Sequence, residues 1–460
     1  MNGFILASID GQSGKTITAL ALLTAFFRNN IHVDVFKNGP DFIDPLLHKA
    51  LIQENTYNLD TWLMGEDNVL KTFSENSSPD HLQIVEGNRG LFDGVNGTSD
   101  EGSTAHLART LGLPIVLVIN ASNSTNTCAA IAHSIKNYDP QINIAGVILN
   151  FVRNEKHKKH LMAAMAKAGL RVYGCIPLDE NLHIDQNLDQ LLRSIDYGLT
   201  RKVIEKLTET GATNFDIEGL GQLEYVNTYV PSSQNQLIPV EGKPVIAVAR
   251  DLAFNFYYQE NLDILKKLGA DVIEFSPLED QSLPSNTSAI YIGGGYCGYY
   301  GDLLEGNGPL RIEVKRLAQC GLPIYAESAG VLYLSKALTQ GRYRRTLAAV
   351  FDYEVTTLTE IINNGYIEVE TTLDNPLFPA GEKIRGVQIK IAEIIDRKKK
   401  AKNLERPFFI TGTENSGLVG RVYLNTIASS AHLHFAGNTN AARQFVEAAS
   451  AFKQFKIMAP

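Results

Sequence analysis

Between Ser8 and Thr16 the chain reads Ser-Ile-Asp-Gly-Gln-Ser-Gly-Lys-Thr. The apolar run Phe4-Ile5-Leu6-Ala7 before it reads as a strand, and Thr16 to Arg28 after it has helical periodicity. A tight turn between strand and helix aims successive backbone N–H groups, and the positive end of the helix, at an anion. Gly11, Ser13 and Gly14 supply the turn, Lys15 a cation for the β- and γ-phosphates, and Thr16 a hydroxyl for Mg²⁺. Ile9 stands where the strict phosphate-loop pattern has Gly. The expected ligand is ATP with Mg²⁺. Gly-Lys-Thr in an arbitrary turn would say little; the flanking strand and helix make the reading specific.

Carboxylates gather at two further strand ends. Phe36-Lys37-Asn38-Gly39-Pro40-Asp41-Phe42-Ile43-Asp44-Pro45 follows a second apolar run and puts Asp41 and Asp44 on one loop. Glu86 ends a third run, Leu82-Gln83-Ile84-Val85, and Asp93 follows it within Gly87 to Gly94. Ligands of parallel α/β sheets sit at the carboxyl ends of the strands. A carboxylate there can hold Mg²⁺ directly or through water. Aspartate beside proline is also ordinary turn chemistry. The phosphate loop shifts the reading toward metal and substrate.

Only a sheet could bring these residues together. Val33–Phe36, Leu82–Val85, Ile115–Ile119 and Ile144–Leu149 join Phe4–Ala7 as short β-branched runs separated by helical stretches. That pattern predicts a parallel sheet covered on both faces. The expected first domain spans 1–208. A linker is expected over 209–243, where Thr228 to Leu237 is polar and carries Pro and Ser. A second α/β domain is expected over 244–460, through Pro244–Ala249, Ala289–Ile292 and Leu322–Ala326. Tyr366 to His434 reads as strand-rich, and Ala441 to Phe455 as a closing helix.

Composition bounds the function. Hydrophobic residues make up 44% of the 460, enough for a core in each half. The formal net charge of −8 argues against a nucleic-acid partner, which needs clustered Lys and Arg. The one basic run, Arg397 to Lys402, reads as a solvated loop. Cys128, Cys175, Cys297 and Cys320 form no metal-binding spacing and suit a reducing compartment. Met1 to Ala7 lacks a basic n-region and no apolar run is long enough to span a bilayer, so a cytoplasmic protein without membrane contact is expected.

Several segments, in order along nearly the whole chain, resemble the cobyrinic acid a,c-diamide synthase family. In the first half they are Phe36–Pro45, Asn58–Trp62, Glu86–Gly94, Gly102–Ala105 and Gly146–Asn150. In the second they are Ala249–Tyr258, Phe275–Leu278, Gly293–Tyr296 and Ala428–Phe435. The resemblance implies a dethiobiotin-synthetase-like P-loop domain followed by a class I glutamine amidotransferase-like domain. It implies that ATP phosphorylates a carboxylate of a tetrapyrrole, and that ammonia released from glutamine attacks the acyl phosphate. By matching position it assigns Thr16, Asp41 and Glu86 to metal, Asp44 to catalysis, Asn150 to the adenine, and Asp93 and Tyr257 to the substrate side. A homodimer is a candidate assembly.

The second half departs from that pattern. Ala326-Glu327-Ser328-Ala329-Gly330 stands where the family has Ala-Glu-Cys-Gly-Gly, so Ser328 occupies the nucleophile position, with His432 as its base. A hydroxyl needs a well-oriented base to match a thiolate, and no acid that orients His432 is visible in the sequence. Cys297-Gly298 replaces Pro-Glu, and Cys297 sits on the wrong loop to substitute. Arg385-Gly386-Val387-Gln388-Ile389-Lys390 replaces Arg-Gly-His-Glu-Phe-His, and Gln186–Gln190 replaces Arg-His-Leu-Gly-Leu. Asn88-Arg89 replaces two apolar residues. The leading expectation is an ATP- and Mg²⁺-dependent amide-forming ligase whose amine is ammonia or another small donor. The alternatives are a glutamine-hydrolysing diamide synthase using Ser328, a serine amidase or hydrolase built on Ala326-x-Ser328-x-Gly330, and a non-catalytic nucleotide-dependent binding protein.

Overall fold

The structure, a computed structural model, describes residues 1–179, 199–226, 229, 237–395, 408–411 and 417–458. The chain divides into two compact units, Met1–Pro231 and Ser232–Pro460. Gln186–Gln190 and the basic run Arg397–Lys402 lie outside the described residues.

The first unit is built on strands β1 (Gly3–Ser8), β2 (Val33–Asn38), β3 (Tyr57–Leu59), β4 (Leu82–Glu86), β5 (Ile115–Asn120), β6 (Ile144–Val152) and β7 (Val172–Pro177). They form one sheet in the order β3-β2-β4-β1-β5-β6-β7. Every adjacent pair is parallel. Every residue of β1 is buried, as expected of a central strand covered on both faces. The order sets the ends of β2, β4 and β1 side by side, which collects Lys37, Glu86 and the loop after Ser8.

Helix α1 (Lys15–Arg28) begins where the loop ends and buries Ile17 through Phe26. It packs against the helix Leu199–Asn214: Thr24 Oγ1 donates to Leu207 O at 3.3 Å. At Gly211 a Cβ would meet Ala21 O at 2.5 Å, so the two backbones touch there because glycine has no side chain.

This corrects the expected linker. Residues 209–225 continue that helix, form a second one (Ile217–Gly221) capped by Asp216, and pair Glu224 with Asn2. The polar stretch Thr228 to Leu237 lies, apart from its residues 229 and 237, outside the described residues. At the other end of the expected linker, the chain from Ile238 belongs to the second unit: Arg443 donates to Ile238 O at 2.7 Å and Ser450 to Glu241 O at 2.8 Å.

The second unit holds two sheets. One runs β18-β19-β11-β10-β8-β9, from β8 (Val245–Ala249), β9 (Asp271–Phe275), β10 (Thr287–Ile292), β11 (Ile324–Glu327), β18 (Arg421–Tyr423) and β19 (Thr426–Ser429). It is parallel except at β18. The other includes β14 (Glu354–Thr371), β15 (Lys383–Ile395) and β20 (Ala431–Leu433) in an antiparallel path. The helix Thr439–Met458 closes the chain. Among the described residues no helix is long and apolar enough to cross a membrane.

Candidate active site

The loop after β1 has the backbone that phosphate recognition needs. Asp10 Oδ1 accepts from Gln12 N at 2.8 Å and Ser13 Oγ at 2.9 Å, folding the turn back on itself. Gly11 lies at its exposed tip with nothing near its Cα hydrogens. Gly14 is left-handed, with φ 75°, and a Cβ there would strike Asn150 Nδ2 at 2.2 Å. Asn150 is buried; its Nδ2 donates to Ser13 O at 3.0 Å and its Oδ1 accepts from Phe151 N at 2.9 Å. In this arrangement the Asn150 amide braces the loop.

Lys15 Nζ lies 3.3 Å from both Ser8 Oγ and Arg89 O. Burial, and after it the neighbouring Lys37 ammonium, lower the Lys15 pKa to about 8 against the pull of Glu86, Asp44 and Asp41.

Behind Lys15 sits a compact cluster of charge. Lys37 is buried, with Nζ 2.6 Å from Asp44 Oδ2, 2.9 Å from Gly87 O and 3.5 Å from Glu86 Oε1. Burial opposes its charge, but Asp44, Glu86 and Asp41 outweigh that and hold it firmly protonated. Glu86 Oε2 pairs with His48 Nε2 at 2.7 Å. Burial would raise the Glu86 pKa, but Lys37 and His48 together keep it well below the usual carboxylate range. Asp44 moves the other way: burial first, then Asp41 and Glu86, push it above that range.

Thr16 Oγ1 stands 3.0 Å from Glu86 Oε1 and 3.4 Å from Asp44 Oδ1. These three oxygens converge where a cation bound to phosphate would share them. Among the described residues no three His, Cys, Asp or Glu side chains form a metal cage by themselves. That fits Mg²⁺, which takes one or two carboxylates and completes its shell with phosphate and water. Asp41 also has a structural part. Its Oδ1 accepts from Ile43 N at 2.7 Å and Asp44 N at 2.9 Å, so it starts the helix Ile43–Ile52 that carries Asp44 and His48. Asp93 closes its own turn on Gly90 N at 3.1 Å. Sequence reasoning passed over Lys37 and His48. The available signals were a charged residue near the end of an apolar strand, and the i, i+4 spacing from Asp44.

The second unit assembles a different centre. Ser328 sits between β11 and the short helix Ala329–Tyr333 with φ 45° and ψ −98°, a conformation that L-residues avoid. At Gly330 a Cβ would meet Ile292 O at 2.7 Å, so glycine permits this sharp elbow. His432 is buried on β20, and a Cβ on Gly294 would meet its Cε1 at 2.5 Å. Its Nδ1 lies 3.7 Å from Glu327 Oε2.

Glu327, one residue before Ser328, is a buried carboxylate near His432, at a separation longer than a hydrogen bond. It is itself held by Tyr291 OH at 3.0 Å, Leu433 N at 2.9 Å and Tyr325 OH. A glutamate at the end of an apolar strand gives no hint of this until β11 and β20 are placed. Cys297 is fully buried, and burial pushes its thiol pKa far up, so it offers no thiolate. Tyr257, expected on the substrate side, is buried with its hydroxyl taken up by Ala249 O and by Gly293 N at 2.8 Å. It braces the Gly293–Gly295 loop.

Two family models match the chain. Residues 4–191 match the CobQ/CobB/MinD/ParA nucleotide binding domain, and residues 245–440 the CobB/CobQ-like glutamine amidotransferase domain. A protein of Caldanaerobacter subterraneus named cobyrinate a,c-diamide synthase is 33% identical, over 98% of this chain and 98% of its own. The chain belongs to the cobyrinate a,c-diamide synthase family. Relatives of that name from a Synechococcus species and from Clostridium acetobutylicum are each 33% identical, over 96% and 97% of this chain and 97% and 100% of theirs. A solved glutamine amidotransferase is 20% identical, covers 44% of this chain and 98% of its own, and has a TM-score of 0.32.

Val387 of the segment Arg385–Lys390 pairs with His432 across β15 and β20, and Ile389 and Lys390 line the pocket next to Ser328. That departure concerns the nucleophile's pocket.

Proposed function

We propose that the chain is an ATP- and Mg²⁺-dependent ligase that activates a substrate carboxylate as an acyl phosphate and joins it to ammonia or another small amine. The cluster of Lys15, Thr16, Lys37, Asp44 and Glu86 at adjacent strand ends carries this reading. Lys15 on the loop would meet phosphate, Lys37 sits buried behind it against Asp44 and Glu86, and preorganised cations offset the repulsion between a phosphate and a carboxylate brought together. Thr16 and Glu86, with Asp44 beside them, would hold Mg²⁺, which neutralises phosphate charge.

A carboxylate oxygen attacks the γ-phosphorus and ADP leaves. The amine nitrogen then attacks the acyl carbon, phosphate leaves, and a base takes the nitrogen's proton. Asp44, held 2.6 Å from Lys37 Nζ, would keep these groups in place. The names of the relatives make cobyrinate the first acceptor to test. A buried machinery of this kind has no evident use in a protein that only binds nucleotide.

The test is ADP formation by the purified chain with cobyrinate and ammonium, each omitted in turn. ADP should appear only with both, and Lys15→Ala should lower the rate at least a hundredfold, about 2.7 kcal/mol of transition-state stabilisation. Full activity in Lys15→Ala, or ADP release indifferent to the carboxylate, refutes the assignment.

A further inference from the structure

We propose that Arg89 anchors the acceptor by a second carboxylate, beside the one that is activated, so that the acceptor is a polycarboxylate. The inference rests on the ligase reading above and deepens it. It starts from the backbone. Arg89 is held at φ 43°, in the left-handed region that favours glycine. Its own carbonyl accepts from Ser8 Oγ at 3.1 Å and from Lys15 Nζ at 3.3 Å. On its N-terminal side, Asn88 N donates to Thr104 Oγ1 at 3.1 Å. On its C-terminal side, Gly90 N donates to Asp93 Oδ2 at 3.1 Å and Leu91 N to Ser8 O at 2.9 Å. At Gly39 a Cβ would meet Asn88 Nδ2 at 2.4 Å, so the segment is wedged between the phosphate loop and the loop after β2.

A side chain at such a φ costs energy, and outliers of this kind gather at functional sites. Glycine would serve every backbone contact just described and adopt the φ freely. The backbone therefore gives no reason for an arginine here, and the reason lies in the side chain. Arg89 is exposed, and its guanidinium has no hydrogen-bond or ion-pair partner among the described residues. Arg109 and Arg171 of the same unit each pair with an aspartate. A free guanidinium is a planar fork that matches a carboxylate with two parallel hydrogen bonds.

The position selects among anions. Lys15 and the turn from Gly11 to Gly14 already provide for phosphate. The carbonyl of Arg89, not its guanidinium, meets Lys15, which leaves the fork for a group that approaches from solvent. The reacting carboxylate must keep one oxygen free to attack phosphorus, and a bidentate fork would occupy both. Arg89 thus suits a neighbouring carboxylate of the same acceptor, held at the mouth while the reacting one goes inward to Lys15. Positioning of this kind brings the reacting atoms together without touching them.

The test is calorimetry on the full chain with a non-hydrolysable ATP analogue and Mg²⁺, titrated with cobyrinate. The parent should bind cobyrinate. Arg89→Gly should weaken that binding by roughly tenfold or more. Arg89→Lys, which keeps the charge without the fork, should lie between the two. Affinity for the ATP analogue should hold in both variants. The Tm of Arg89→Gly should not fall, because glycine relieves the φ, and this separates lost recognition from lost structure. In turnover, the rise in KM for cobyrinate should exceed the fall in kcat. Equal cobyrinate affinity in the parent and Arg89→Gly, or no binding by the parent, overturns the proposal. So does a loss that extends to the ATP analogue or to Tm, or one confined to kcat. The binding comparison needs no turnover: a parent that binds cobyrinate through Arg89 but forms no ADP would refute the ligase reading and leave the anchor standing.

Discussion

Lys15 is where pH acts first on the nucleotide site. Its ammonium is partly desolvated and lies near the Lys37 ammonium, which brings its pKa to about 8. Below that value the cation is present before phosphate arrives. Above it the free protein holds a neutral amine, and bound phosphate, which favours the ammonium, must draw in a proton. ATP affinity should therefore weaken as pH rises, by up to roughly tenfold per pH unit beyond about 8. Calorimetry in two buffers of different ionisation enthalpy checks the sign. Proton uptake on binding should be near zero at neutral pH and approach one per ATP well above the Lys15 value. Affinity independent of pH, with no uptake, would remove Lys15 from the phosphate site. Lys37 does not share this sensitivity, because Asp44 and Glu86 hold its proton. One lysine is thus poised and the other locked, though both sit at strand ends of one sheet.

Elements decide which of these residues could be found by reading alone. The long β-branched runs of β1, β5 and β6 announce themselves, and with them the loop bearing Lys15 and Thr16. The three-residue strand β3 and the mostly exposed β9 have no such apolar signature. The helix Leu199–Asn214 hides for a different reason. The expected boundary at residue 208 falls inside it, while its fit to α1 depends on Gly211 lying against Ala21 O. Gly211→Val should force those backbones apart and destabilise the first unit by about 1–3 kcal/mol. Urea unfolding measures this, and an unchanged midpoint and slope would put the helix outside the cooperative core. Site residues follow the same rule. Thr16, Asp44 and Glu86 lie in recognisable segments. Lys37 and Glu327 are lone charges near the ends of apolar strands, and they acquire partners only when the sheet order sets Lys37 beside Glu86 and the two sheets of the second unit set Glu327 beside His432.

At the scale of the whole molecule, two α/β units carry two kinds of chemistry. The first keeps a complete set of phosphate-, cation- and carboxylate-handling side chains. The second holds Ser328 on a strained elbow, a buried histidine, and a pocket lined by both aliphatic and charged side chains. The proposed function places ATP-powered amide formation in the first unit and draws its nitrogen from ammonia or another small amine. Comparing nitrogen donors in one assay tests this most directly. ATP-dependent amide formation and glutamate release should be followed together, with ammonium or glutamine as the sole donor, in the parent, Ser328→Ala and Ser328→Cys. The account predicts amide from ammonium, with little amide and negligible glutamate from glutamine in the parent and Ser328→Ala alike. A gain in glutamate release by Ser328→Cys would place the deficit in the nucleophile and show that the rest of the pocket survives. Rapid glutamate release by the parent, coupled to amide formation and lost in Ser328→Ala, would contradict it and make Ser328 a working glutaminase nucleophile.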